Sequence, residues 1–348
     1  MKANVINEQG FIVSVVGASG LLGRALLDDL PSWISIRWLH LFDSPRNSGE
    51  EQTLDDGQGN PISLPVSNLP STSEAPPDIG IFGDSSLVIF AVNPSIAKPW
   101  INACYEEGMA VIDFSGAAAS LSPPVFPGLQ SSDWISESFS ENRIVSVPSP
   151  AAHAIAQIVN PFRQLSAWAA TAIVQLSASS FGQPGLTELS AQIASLYNAK
   201  DSPQTVFPGG LAFDVIDCVG RIDGDGFTAA EQLVQQQCAS VLGGLEVTTQ
   251  IQVIPLFSGG QVLLTIALEE QGSIEQAIEL LDAQESLRVS ERTVSPKNIT
   301  GRSVISVGRL RQSTLSNGIR LTASFDNIAL TIENCRLLLA VIIEERLL

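Results

Sequence analysis

Hydrophobic and polar positions change period several times along the chain. Phe11-Ile-Val-Ser-Val-Val16 is an apolar run of strand length, and Gly17-Ala-Ser-Gly20-Leu-Leu-Gly23 follows it at once. Residues 24–30 take up helical spacing, and residues 35–42 read as a second strand. The stretch 52–78 is rich in Pro, Ser, Asp and Gly and predicts irregular or weak-strand connections. Residues 86–92 form another buried strand, 99–108 a helix closed by a glycine cap at Gly108, and 110–114 a further strand. Strands alternating with helices predict the α/β class, with a parallel, doubly wound sheet up to about Val147.

The character changes from Trp168. Strand-like patterning over 171–177, 246–256 and 261–268 is interleaved with helical spacing near 186–197, 228–242 and 274–283. This predicts a mixed α+β second domain. Residues 324–348 read as one long helical stretch returning to the first domain. The expected division is 9–150, 151–323 and 324–348, and no internal repeat is visible.

Composition narrows the partners. The 348 residues are 45% hydrophobic, enough for a large core and about two domains. The formal charge of −18 and a pI near 4.4 disfavour nucleic acid and anionic membrane, which repel an acidic surface. No apolar run approaches the roughly 20 residues that span a bilayer, and the longest, residues 337–343, reads as the buried part of a C-terminal helix. Met1 to Gly10 is polar and carries no secretory pattern, so a cytoplasmic location is expected. Cys104, Cys218, Cys238 and Cys335 form no Cys-x-x-Cys pair and read as free buried thiols. With only His40 and His153, and no clustered carboxylates, no metal site is expected.

The candidate chemistry begins at the glycine loop. Strand, glycine loop, helix is the context in which Gly17-x-x-Gly20-x-x-Gly23 makes a dinucleotide site. The first glycine permits the tight turn, the second lets backbone approach a pyrophosphate, and the third lets helix pack on strand. Ser19, Leu21 and Leu22 complete the loop, whose helix N-terminus offers N–H groups to phosphate. Asp43, ending the second strand, suits the adenosine ribose of NAD. Arg46, three residues on, suits the 2′-phosphate of NADP. The two signals conflict, and two solvated loop charges are an equal alternative.

Several stretches, in collinear order over essentially the whole chain, resemble aspartate-semialdehyde dehydrogenase. Val16-Gly-Ala-Ser-Gly-Leu-Leu-Gly23 resembles its cofactor loop, and Ser44-Pro-Arg-Asn-Ser-Gly49, with Arg46 and Ser48, its segment near the adenosine end. Gly108-Met-Ala-Val-Ile-Asp-Phe-Ser115, Leu211-Ala-Phe-Asp-Val-Ile216, Val307-Gly-Arg-Leu-Arg311 and Phe325-Asp-Asn-Ile328 match further pieces. The resemblance implies a Rossmann-type dinucleotide-binding domain, an α+β dimerisation and substrate domain like that of glyceraldehyde-3-phosphate dehydrogenase, NADP or NAD as cofactor, and a homodimer.

The same resemblance implies losses at the reacting centre. The family's nucleophilic cysteine falls on Ala152, its general-base histidine on Gly260 and its phosphate-binding arginine on Ala119. Its substrate-clamping glutamate and lysine fall on Gln237 and Ser240, its carboxylate-gripping arginine on Val253, and the asparagine beside the phosphate site on Phe114. The expectation is a catalytically degenerate, Usg-type member. The alternative is an active NAD(P)-dependent oxidoreductase on a different, uncharged carbonyl. Cys238 reads as a packing residue rather than a substitute nucleophile. His153 reads as a satisfied polar residue at a helix start, or as a remnant general acid or base. A short-chain dehydrogenase shares the glycine spacing but needs Tyr-x-x-x-Lys. Tyr197 is followed by Lys200, one residue short, and Tyr105 has no lysine four on.

Overall fold

The computed structural model describes residues 10–56, 59–73, 75–314 and 316–348. The N-terminal stretch read above as lacking a secretory pattern, apart from Gly10, lies outside the described residues, as does Gln9, the first residue of the expected first domain. The chain forms two compact units. One runs to Pro148 and takes up Ile332–Leu348, and the other is Ser149–Thr331.

The first unit contains β1 (Phe11–Val16), α1 (Leu21–Trp33), β2 (Ile36–Asp43), β3 (Glu51–Asp55), β4 (Pro61–Asn68), β5 (Leu87–Phe90), α2 (Pro94–Glu106), β6 (Val111–Asp113), α3 (Ser132–Asn142) and β7 (Ile144–Ser146). Its seven strands lie in the order β3-β4-β2-β1-β5-β6-β7. All neighbours pair in parallel except β3, which runs antiparallel to β4. The expected doubly wound sheet is therefore present, with one antiparallel edge. Successive crossovers leave β1 in opposite directions, to β2 on one side and to β5 on the other, which opens a crevice at the carboxyl end of β1. Gly17 sits there.

Two features of this unit differ from expectation for physical reasons. Within 52–78, β3 and β4 make a regular hairpin. Its alternation rests on few buried side chains (Leu54, Leu64 and Val66), so the sequence shows little periodicity. Helix α2 begins at Pro94 rather than at 99, because Pro94 holds the first-turn position where a missing N–H is harmless, and Pro99 lies inside the helix. Gly108 takes φ +69° just past its end. Aromatic edge contacts around Phe82, with ring centroids 5.3 Å from Phe42 and 5.5 Å from Trp100, fill the core beside this helix.

The second unit contains α4 (Pro150–Val159), β8 (Ala167–Leu176), α5 (Gly182–Tyr197), α6 (Ala229–Leu242), β9 (Glu246–Val253), β10 (Gly260–Leu268), α7 (Ile274–Asp282), β11 (Leu287–Ser290), α8 (Pro296–Ile299), β12 (Ile305–Gln312) and β13 (Ile319–Phe325). Its six-stranded sheet has the order β11-β12-β13-β10-β8-β9. Strand alternation puts Ala170, Ala172, Val174, Val262 and Leu264 inward, where α4 and α6 pack. Helix α6 starts with a capping box between Thr228 and Glu231. The long helical stretch expected from 324 starts three residues later, as α9 (Asn327–Glu344). Ser324 and Phe325 belong instead to β13, in register with Gln261 and Gly260. Asp326 stops the strand and caps the helix, its carboxylate accepting from the Ile328 and Ala329 N–H groups at 2.9 and 3.0 Å.

Candidate functional site

The glycine loop is shaped by close backbone approach. Gly17 has φ +91°, and a Cβ there would stand 2.4 Å from the Ala91 carbonyl beyond β5. A Cβ on Gly23 would stand 2.1 Å from the Gly17 carbonyl, so α1 packs on the loop only with glycine at this place. Gly20 is the N-cap of α1 and supplies no side-chain acceptor to its first turn. The first N–H groups of a helix have no intrahelical partner, and among the described residues no side chain caps them. The Ser19 hydroxyl is buried and makes no hydrogen bond. Leu21 and Leu22 are half-buried beside it. Free donors, an orphaned hydroxyl and glycines that leave room fit a dinucleotide pyrophosphate.

Asp43 at the end of β2 turns back onto this loop. Its Oδ2 accepts the Ser19 N–H at 2.9 Å, and its Oδ1 accepts the Ser44 N–H at 2.6 Å and the Asn47 amide at 3.1 Å. Arg46 and Ser48 stand exposed on the turn that follows.

Three strands along from β2, fully buried Asp113 organises the loop after β6. It accepts from the Ser115 N–H and hydroxyl at 2.7 and 2.5 Å and from the Ala118 N–H at 2.9 Å. The loop thus keeps a defined shape around half-buried Phe114 and exposed Ala119, neither of which brings a charge or a polar side chain. The resemblance named this aspartate's segment without assigning Asp113 a role.

In the second unit, Ala152 lies fully buried in the first turn of α4. Pro150 holds the first helical position, and the N-cap hydroxyl of Ser149 accepts from the Ala152 N–H. Ser149 in turn donates its N–H and hydroxyl to the Gln237 side-chain carbonyl, at 3.0 and 2.7 Å. Cys238 points its sulfur to the Ala152 carbonyl at 3.8 Å. Ala152, Gln237 and Cys238 are therefore brought together by α4 and α6. Ser240 is not among them. It is exposed, and its hydroxyl bonds back to the Gln237 carbonyl. Ser149 is a functional neighbour that sequence reasoning missed, although Ser-Pro before a helical run is a readable N-cap signal.

Gly260 opens β10 directly beneath Phe325. A Cβ at Gly260 would stand 2.6 Å from the tip of the Phe325 ring, which is itself fully buried. Val253 is 2% exposed and packs with Ala178, Leu189, Phe207 and Leu211, while its backbone pairs with Ile216. No signal in the sequence ties Phe325 to Gly260. Only the cross-strand register reveals it.

His153 is buried, and desolvation pushes its imidazole down to about 3. It is neutral at neutral pH, which removes it as a proton donor there. Burial likewise pushes the Cys238 thiol up to about 12, leaving no thiolate for attack. Cys104, Cys238 and Cys335 are buried free thiols as expected, whereas Cys218 is only partly buried, on the loop before α6. Among the described residues, no group of His, Cys, Asp and Glu could hold a metal ion, and no helix is long and apolar enough to cross a membrane.

Comparison with known proteins agrees with the two-unit architecture. Residues 12–137 match the semialdehyde dehydrogenase NAD binding domain, and residues 162–330 match the semialdehyde dehydrogenase dimerisation domain. The chain belongs to the semialdehyde dehydrogenase family. Among its relatives, a USG-1 protein homolog of Pseudomonas aeruginosa is 28% identical over 291 residues, 80% of each chain. An aspartate-semialdehyde dehydrogenase of Rickettsia bellii is 22% identical over 327 residues, 91% of this chain and 92% of that one. Among solved structures, a probable aspartate-semialdehyde dehydrogenase from Pseudomonas aeruginosa superposes with a TM-score of 0.84 at 24% identity, covering 97% of this chain and all of that one. Aspartate-semialdehyde dehydrogenase from Candida albicans, solved with NADP, gives 0.69 at 12% identity over 98% of this chain and 100% of that one.

Proposed function

We propose that this chain is a dinucleotide-binding homodimer of the semialdehyde dehydrogenase family that no longer performs the family's phosphorylating dehydrogenase reaction. The observation that carries the reading is the Phe325 ring lying on Gly260, where a base side chain would begin. A single missing residue can be a chance substitution. A position sealed by a buried aromatic is a rebuilt core. The other positions point the same way. Ala152 has no heteroatom, Val253 sits in apolar packing, and Ala119 and Ser240 carry no charge. Gln237 spends its side-chain carbonyl on Ser149.

The magnitudes favour loss. Removing a covalent nucleophile costs about 10⁶ in kcat, or roughly 8 kcal/mol. Each charge-assisted contact to phosphate or carboxylate is worth about 1.5–3 kcal/mol, and three such cations are replaced by Ala, Ser and Val. A bound nicotinamide dinucleotide supplies hydride exchange, and the glycine loop, Ser19 and Asp43 are the residues that would hold it.

The homodimer reading rests on the outward face of the second unit's sheet. Thr171, Ile173, Thr248, Gln250, Leu263 and Thr265 lie side by side there in register. These six side chains carry no charge, with exposed Arg320 beside Thr265 and Glu246 beside Ala169 at the border, and such a surface in a chain of charge −18 is suited to meet its own copy.

The test is purified protein incubated with NAD or NADP and either aspartate semialdehyde plus phosphate or, in a separate arm, an uncharged aldehyde, with molar mass measured by light scattering. A dimer that forms no reduced nicotinamide is expected. Turnover overturns the loss of reaction, and turnover of an uncharged carbonyl alone favours the active-oxidoreductase alternative.

A further inference from the structure

Asp43 and Arg46 gave opposing signals in the sequence, and their surroundings now separate them. Asp43 is half-buried and fixed by three donors from three different residues. Arg46 is exposed on a turn, where solvent and salt screen its charge. We infer that the dinucleotide site selects NAD(H) over NADP(H), with the Asp43 carboxylate as the selecting group and Arg46 contributing little.

A carboxylate offers about four acceptor sites. Oδ1 of Asp43 is filled by the Ser44 N–H and the Asn47 amide, while Oδ2 carries only the Ser19 N–H. One acceptor site is therefore open on the oxygen nearest the glycine loop. Ribose hydroxyls can donate into that site. A 2′-phosphate cannot, because it brings acceptor oxygens and negative charge against a fixed carboxylate. The carboxylate cannot swing away without releasing the Ser19 N–H, and Ser19 carries the buried hydroxyl of the same loop. Selection is thus built into the contact that shapes the loop.

The inference rests on the dinucleotide reading above, and one experiment separates the two. NADH and NADPH are each titrated into the full-length protein by calorimetry, with no catalytic readout. Saturable NADH binding with NADPH weaker by about tenfold or more is expected, the scale of one like-charge contact near a protein surface. Equal or tighter NADPH binding overturns the selection and leaves dinucleotide binding intact. Saturation by neither cofactor removes the dinucleotide reading and the selection with it. Two variants sharpen the assignment, each checked for an unchanged melting temperature. Asp43→Asn should narrow the NADH preference, and Arg46→Ala should leave both affinities within about twofold. A preference that survives Asp43→Asn, or a strong loss of NADPH binding on Arg46→Ala, contradicts it.

Discussion

The glycine loop of the first unit and the start of α4 in the second are both strand-to-helix turns, yet they have been filled in opposite ways. At the loop, donors are left open. Gly20 caps nothing, the Ser19 hydroxyl has no partner, and Gly17 and Gly23 hold the backbone close enough that any side chain would collide. At α4, polar groups are consumed internally. Ser149 takes the Ala152 N–H and gives both its own protons to Gln237, and elsewhere in the same unit Val253 packs among apolar side chains and Gly260 lies under Phe325. A place that binds a ligand keeps unsatisfied groups at a cost in stability, and a place without one satisfies them. The contrast is what the proposed function expects, with the dinucleotide site kept and the family's reaction site given up.

The largest expected effect lies in the filled region. Phe325→Ala should lower unfolding stability by about 3–5 kcal/mol, as buried aromatic truncation does, measured by urea denaturation. Gly260→His alone should cost about 1–3 kcal/mol by overpacking. The double variant should be less destabilised than the sum by at least about 0.5 kcal/mol, because the cavity admits the imidazole. Strict additivity would mean the ring and Gly260 are not coupled.

Gly17→Val probes the open region. A β-branched residue at φ +91° against the Ala91 carbonyl should cost about 3 kcal/mol and abolish saturable NADH binding. Unchanged binding would break the claim that this loop holds the dinucleotide.

A smaller effect comes from His153. Its folded value near 3 lies well below the 6.5 of an ordinary imidazole, so the unfolded chain takes up a proton that the folded protein refuses. The stability contribution is complete above about 6.5 and is lost as pH falls from there toward 3, at about 1.4 kcal/mol per pH unit. His153→Gln should remove that part of the slope, so that the difference in stability between the two proteins changes with pH over this window. A constant difference would contradict a buried neutral imidazole. Ser149→Ala should cost only about 1 kcal/mol, the value of an N-cap, and a melting temperature equal to the parent's would show that the latch to Gln237 contributes nothing.

Much of the first region was legible in the sequence because it is local. An apolar strand, a seven-residue glycine pattern and a helix are contiguous, and each glycine has its own steric reason. The filled region was legible only as absences. The sequence could show Ala152 and Gly260, but not that Phe325 covers Gly260, since β10 and β13 are separated by more than fifty residues and meet only through sheet register. Strands β11 to β13 are not legible in the sequence, because mixed-polarity segments such as Leu287–Ser290 have weak alternation. Asp113 sat inside a recognised segment, yet its role as acceptor for a whole loop depends on three-dimensional closure.

The most direct test of the central claim follows nicotinamide fluorescence of the protein mixed with NADH, then with aspartyl phosphate, the family's substrate in the reducing direction. The account predicts a saturable signal on binding that stays flat after the second addition. A signal that saturates and then decays through steady oxidation of NADH would contradict it, because the rebuilt α4 region would still be carrying out the family's chemistry.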